Sequence, residues 1–377
     1  MGNAWRVVSV AELEAEARAR AGGASDFGGT EHREALEVLL ADYAASARLS
    51  AEGAAATRAL LVALLVQRLR SQRARRQLEG AQPVRRPWFI LALPRTGTTA
   101  LHRLLCADPA AQGLEHWLAL HPQPRPPRER WREHPDFRAT EARLAAMREA
   151  APDLFAQHAM DADQVDECRL LLMQSFRSTT FSSTATLPRY ERWVLACDMR
   201  PAYAWHRAML ELIDAGRGRR WVLKDSSHLT SLGALLATYP DCRVICTRRP
   251  AAALLPSIAA LVYAAQRAGE PGLARETVGR ESLAYWARAA RALREWRLAN
   301  PQIPWVDVEQ EELRRDPLGV CRRIHARFDE PFAPEAEAAV RSALAGLDTG
   351  ATRGRPTLAD FGLAARDVAE AFPAEFL

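Results

Sequence analysis

The chain has 377 residues, 48% hydrophobic and 26% charged, a composition that supports a large folded core and excludes a disordered or low-complexity protein. Its net charge is +5, and all 51 basic residues are arginine except Lys224. With no basic–aromatic interleaving and no recognisable nucleic-acid module, the arginine excess reads as compositional bias, and no nucleic-acid partner is expected. Apolar runs are broken by Arg or Gly well short of the ~20 residues that a membrane helix requires, so no membrane span is expected. Residues 1–21 are charged and helical in pattern, unlike a secretory signal. Six scattered cysteines, Cys106, Cys168, Cys197, Cys242, Cys246 and Cys321, form no C-x-x-C pair and read as buried thiols of a reducing compartment, the cytoplasm. No His, Cys or carboxylate set has metal-ligand spacing, and no metal is expected.

Residues 1–80 read as a helical N-terminal extension. Ser9-Val10-Ala11-Glu12 has the form of a capping box opening the first helix. Gly22-Gly23 and Gly28-Gly29 break the chain, and periodic segments follow over 31–49 and 51–78. The arginines at 68, 70, 73, 75 and 76 fall on several faces and read as a solvated helix end. From Pro87 the pattern changes. An apolar run over 88–93 predicts a buried strand, and the loop Pro94-Arg95-Thr96-Gly97-Thr98-Thr99 leads into an amphipathic helix with Leu101, Leu104 and Leu105 on one face. Strand, small-residue loop and helix N-terminus make an anion cradle of free N–H groups, with three threonines as further donors. The loop lacks the lysine of a nucleotide triphosphatase loop.

A proline-rich connection over 121–127 and a helical insertion at about 115–215 come next. Tyr190, Trp193, Tyr203 and Trp205 read as helix packing rather than a substrate box. Further strands are predicted over 220–224, 243–247 and 303–308, the last marked by Pro304 as an edge or a strand start. Helices separate these strands, so the fold class is α/β: a P-loop-like parallel sheet flanked by helices on both faces. The division expected is a helical extension over 1–80 and an α/β domain over 81–377 that carries the insertion.

In open α/β sheets ligands bind beyond the carboxyl ends of the strands. Three strand ends here carry chemistry-bearing groups: the loop at 94–99, Lys224-Asp225-Ser226-Ser227-His228, and Thr247-Arg248-Arg249, with Ser257 eight residues beyond Arg249. At these positions the sequence resembles the sulfotransferases that use 3′-phosphoadenosine 5′-phosphosulfate (PAPS). The resemblance implies that Arg95, Thr96, Gly97, Thr98, Thr99 and Ala100 hold the 5′-phosphosulfate and that Arg249 and Ser257 hold the 3′-phosphate. The bacterial branch of the family is similar over nearly the whole chain, including the segment 221–229, the segment 239–249, and Asp26-Phe27-Gly28. Its C-terminal loop resembles residues 353–363, which implies that Arg353 and Gly354 close over the 3′-phosphate. Three departures stand out. The family's Arg-Asp-Pro reads Arg249-Pro250-Ala251, its Lys-Ser-Pro reads Lys224-Asp225-Ser226, and its Trp-Glu pair reads Trp117-Leu118 with Glu115 nearby.

Sulfuryl transfer places negative charge on the departing bridging oxygen, which fixed cations stabilise. The resemblance implies Arg95 and Lys224 for that task. The acceptor hydroxyl also needs a base. Many family members place a histidine two residues after the lysine; here His228 follows by four, and His158 and Glu167 are the alternatives. The reading is a cytoplasmic PAPS-dependent sulfotransferase of secondary metabolism, acting on a hydroxyl of a small, apolar or carrier-bound metabolite. Two other readings stay open: a P-loop kinase or NTPase, and an inactive nucleotide-binding homologue.

Overall fold

The computed structural model describes residues 3–150, 152, 155, 160–346 and 356–376. Helix α1 (Val10–Arg20) opens on the expected capping box: Ser9 Oγ accepts from the Glu12 N–H at 3.2 Å and Glu12 Oε2 accepts from the Ser9 N–H at 2.7 Å. Helices α2 (Glu31–Ala45) and α3 (Ala51–Gln77) follow the two periodic segments. On α3 the buried stripe runs through Leu61, Leu64, Leu65, Arg68, Leu69 and Gln72, the i, i+3, i+4 spacing of a core-facing helix.

Arg68 therefore departs from the solvated reading, which holds for Arg70, Arg73, Arg75 and Arg76. Its guanidinium donates to Phe27 O at 2.8 Å and Gln174 O at 3.2 Å and stacks over Trp205 at 4.1 Å. Burial pulls its pKa down to about 10. The side chain ties α3 to the Asp26-Phe27-Gly28 turn and to the insertion. Replacing Arg68 with alanine strands two buried carbonyls and leaves a gap beside Trp205. The expected loss is about 2–4 kcal/mol in urea unfolding, against a change within about 0.5 kcal/mol for exposed Arg73→Ala.

The sheet contains β1 (Trp88–Ile90). Helix α4 (Thr98–Cys106) follows it, and then β2 (Ala111–Gln112), β3 (Arg220–Lys224), β4 (Arg243–Arg248) and β5 (Trp305–Glu309). All five strands are parallel, in the order β2-β3-β1-β4-β5. Pro304 does precede an edge strand. Strand β1 is shorter than the apolar run: residues 91–93 stay buried but leave the ladder after the Leu91 N–H bonds Ile245 O at 2.9 Å. Strand β2, two residues long, is too short to leave a periodic pattern in the sequence.

Alternation along the strands divides two apolar layers. Trp88, Ile90, Val222 and Ile245 pack with Leu101, Leu104 and Leu105 of α4. Phe89, Leu91, Leu223 and Val244 belong to the larger core that includes the N-terminal helices and the insertion. Burial on both faces is what parallel sheets require. Within the insertion, Pro135–Ala150, Arg169–Met173, Pro188–Val194 and Arg200–Asp214 are helical, whereas residues 174–187 form successive turns. Tyr190, Tyr203 and Trp205 are buried packing residues, as expected, and Trp193 packs at the core's margin.

Candidate active site

The β1–α4 loop carries two left-handed residues within three positions, Arg95 (φ +69°) and Gly97 (φ +91°), and this pair turns the chain sharply into α4. A Cβ on Gly97 would meet Leu313 Cδ2 at 3.1 Å in addition to the strained φ. The first helical hydrogen bond runs from Leu101 N–H to Gly97 O at 3.1 Å. The N–H groups of Thr98, Thr99 and Ala100 precede it at the positive end of the helix dipole. Thr96 differs from the simple donor expected. Its hydroxyl donates to Leu93 O at 2.8 Å and pairs with Thr247 Oγ1 at 2.6 Å, so it fastens the loop to the end of β4.

Three cation-bearing strand ends meet beside this loop. Arg95 Nε donates to Ser257 Oγ at 3.0 Å, and Arg249 donates to the Arg95 carbonyl at 3.4 Å. Gln310, unremarked in the sequence, donates to the same carbonyl at 3.3 Å. Partial burial, and then the neighbouring Arg249 charge, lower the Arg95 pKa. Two adjacent guanidiniums repel one another, and an anion between them relieves that repulsion. Arg248 turns aside into an ion pair with Asp307 at 2.9 Å.

Register places Lys224 opposite Ile90, at the carboxyl end of β3. Its ammonium donates to Glu167 Oε1 at 2.8 Å and to Thr99 Oγ1 at 3.2 Å, with the side chain only 4% exposed. Glu167 reaches this spot because the insertion folds back onto the strand end: Cys168 N–H donates to Lys224 O at 3.1 Å, and Val165 bridges Glu115 in antiparallel fashion. Its second oxygen accepts from Arg169 Nε at 2.9 Å. Asp166 holds the Glu167 N–H at 2.6 Å and the His116 ring at 2.5 Å. Burial, and then the Glu167 charge, raise the neighbouring Asp225 carboxyl well above its usual range.

The four-residue spacing sends His228 the other way. It is fully buried, with Nδ1 bonded to Tyr203 OH at 2.7 Å and its ring against the edge of Phe89. Burial drives its pKa well down. The candidate base is thus set in the core, against Tyr203 and Phe89. His158, Arg353 and Gly354 lie outside the described residues.

At the carboxyl end of the parallel sheet, a small-residue loop at a helix N-terminus thus lies beside two arginines and a lysine–glutamate pair. The chain belongs to the sulfotransferase family, whose family model matches residues 87–334. It is similar to the sulfotransferase STF1 from Mycobacterium tuberculosis H37Rv, at 36% identity and a TM-score of 0.85 over 97% of this chain and 98% of that one. It is also similar to the sulfotransferase STF9 from Mycobacterium avium, at 26% identity and a TM-score of 0.87 over 97% and 95% of the two chains. Among curated proteins, none matches the chain in sequence. No helix among the described residues is long and apolar enough to cross a membrane.

Proposed function

We propose that the chain transfers a sulfuryl group from PAPS to a hydroxyl of a small, apolar or carrier-bound metabolite. One observation carries this reading: the Lys224 ammonium sits between Thr99 of the anion cradle and the Glu167 carboxylate, 3.2 and 2.8 Å away. A fixed cation and a basic oxygen thus adjoin one phosphate-type site, the pair that sulfuryl transfer to a hydroxyl requires. The donor set also fits a nucleotide with two separate anionic groups. It combines helix N–H groups with two adjacent guanidiniums and a serine, and it has no loop lysine for a triphosphate.

In this reading Arg95, Gly97, Thr98, Thr99 and Ala100 hold the 5′-phosphosulfate, with Thr96 fastening the loop. Arg249 and Ser257 hold the 3′-phosphate, and Arg353 and Gly354 close over it. PAPS supplies the sulfuryl group on a phosphate leaving group. Glu167 takes the proton of the acceptor hydroxyl as its oxygen bonds to sulfur. Lys224 and Arg95 meet the negative charge left on the bridging oxygen when the sulfur–oxygen bond to phosphate breaks. The helices of 1–80 and 115–215 wall the acceptor side and exclude water.

The deciding assay mixes the protein, PAPS and a panel of hydroxyl acceptors and follows formation of the 3′,5′-bisphosphate product. Tight bisphosphate binding without turnover on any acceptor overturns the enzyme reading. A thermal shift with ATP and Mg²⁺ that exceeds the shift with the bisphosphate overturns the choice of nucleotide. Arg249→Ala should raise the bisphosphate Kd about 10- to 100-fold, the effect of losing one charge-assisted hydrogen bond. Its kcat at saturating donor should stay close to that of the parent, and calorimetric titration beside steady-state kinetics measures both.

A further inference from the structure

We propose that Cys168, His206 and His228 form a binding site for a zinc-class divalent cation in the core behind the Lys224–Glu167 pair. The three residues come from separate elements. Cys168 precedes the helix Arg169–Met173, His206 lies in the helix Arg200–Asp214, and His228 lies in the turn Ser226–Thr230 after β3. This is why no ligand spacing is visible in the sequence. One ligand atom from each lies within 4.8 Å of the other two, and all three residues are fully buried.

The two imidazoles are held in the same way. His228 Nδ1 bonds Tyr203 OH and His206 Nδ1 bonds Tyr239 OH, each at 2.7 Å. In both rings Nε2 is buried without a hydrogen-bond partner among the described residues. A buried polar atom left unpaired is costly, so two of them in one buried cluster with a thiol are an unfavourable arrangement for a merely structural core. A cation resolves it. A ligating histidine usually gives its other N–H to a nearby oxygen, which fixes the tautomer and presents the lone pair. Tyr203 and Tyr239 supply those oxygens.

One thiolate with two imidazoles is a borderline-soft set that suits zinc, with water or a further oxygen as fourth ligand. Bonds of about 2.3 Å to sulfur and 2.0 Å to nitrogen give tetrahedral edges of about 3.3–3.5 Å, so the side chains need close by at most about 1.5 Å. The thiol releases its proton to solvent as the cation enters. Beside these side chains, Asp225 Oδ2 is also buried without a hydrogen-bond partner among the described residues. Such an ion would join the segment carrying Glu167 to the strand end carrying Lys224, since Cys168 follows Glu167 and its N–H binds Lys224 O.

The test uses the full chain, free of any histidine tag, produced in cobalt-supplemented medium. The expected result is about one cobalt per chain with a thiolate-to-cobalt charge-transfer band in the near ultraviolet. Cys168→Ser should abolish the band, whereas Cys321→Ser, in the opposite apolar layer, should retain it. His206→Gln should lower cobalt content at least tenfold and remove the rise in Tm that zinc gives the parent. It serves as the second variant where Cys168→Ser loses its native circular dichroism. A folded parent without cobalt, or a band that survives in a folded Cys168→Ser protein, overturns the proposal. Neither outcome bears on the sulfuryl-transfer reading, which the bisphosphate assay tests separately.

Discussion

Replacing Lys224 with alanine lowers kcat about 100- to 1,000-fold and leaves bisphosphate affinity within about threefold of the parent. The asymmetry follows from where the charge is needed. In the resting protein the ammonium is shared between Glu167 and Thr99. In the proposed reading the bridging oxygen gains its charge only as the sulfur–oxygen bond breaks, so the lysine would contribute most to the transition state. Its side chain is 4% exposed, and in that low-dielectric setting a fixed charge acts more strongly than in water. The fold survives the change because Glu167 keeps Arg169, at 2.9 Å, as a partner. Lys224→Arg fails to restore turnover, because a planar guanidinium does not fit a slot built for a compact ammonium. Single-turnover kinetics with saturating donor, beside titration with the bisphosphate, measure the two effects separately. Turnover equal to that of the parent would remove Lys224 from the transfer step.

The parts of this site that were legible in the sequence are those carried by short-range spacing. The apolar run, the loop at 94–99 and the leucines of α4 announce strand, turn and helix within one window. Arg249 and Ser257 stand eight residues apart at one strand end, and Arg95 meets that serine directly. Lys224 was conspicuous as the single lysine. What stayed hidden depends on contacts between distant segments. Glu167 joins Lys224 only because the insertion returns to the sheet, held by the Cys168 N–H to Lys224 O bond. Arg68 looked like one more surface arginine until α3 packed against Trp205. His228 is the instructive case. Its distance along the chain from Lys224 looked like a small displacement of a base, yet those extra residues make a turn that points the ring into the core beside His206. No local pattern separates an imidazole facing a substrate from one facing a second imidazole.

In the proposed reading Glu167 takes the acceptor's proton, and Glu167→Gln is the sharpest test of it. The amide keeps the size of the carboxylate and can still accept from Lys224 or Arg169, so the surroundings persist. It cannot hold a proton at neutral pH. The expected fall in kcat is about 100- to 10,000-fold, with bisphosphate affinity unchanged. A positioning role alone would lower turnover equally for every acceptor, whereas loss of a general base depends on the acidity of the hydroxyl. An aliphatic alcohol holds its proton tightly and needs the base throughout, while a nitrophenol ionises readily and needs it little. The ratio of parent to Glu167→Gln kcat should therefore be at least tenfold larger for the alcohol than for the nitrophenol. Equal ratios would leave Glu167 as an anchor for Lys224. A variant that turns over both acceptors like the parent would return the proton transfer to another group. The same comparison on Glu167→Asp adds a geometric control. A carboxylate one methylene shorter keeps its basicity, so it should recover part of the alcohol turnover that Glu167→Gln loses.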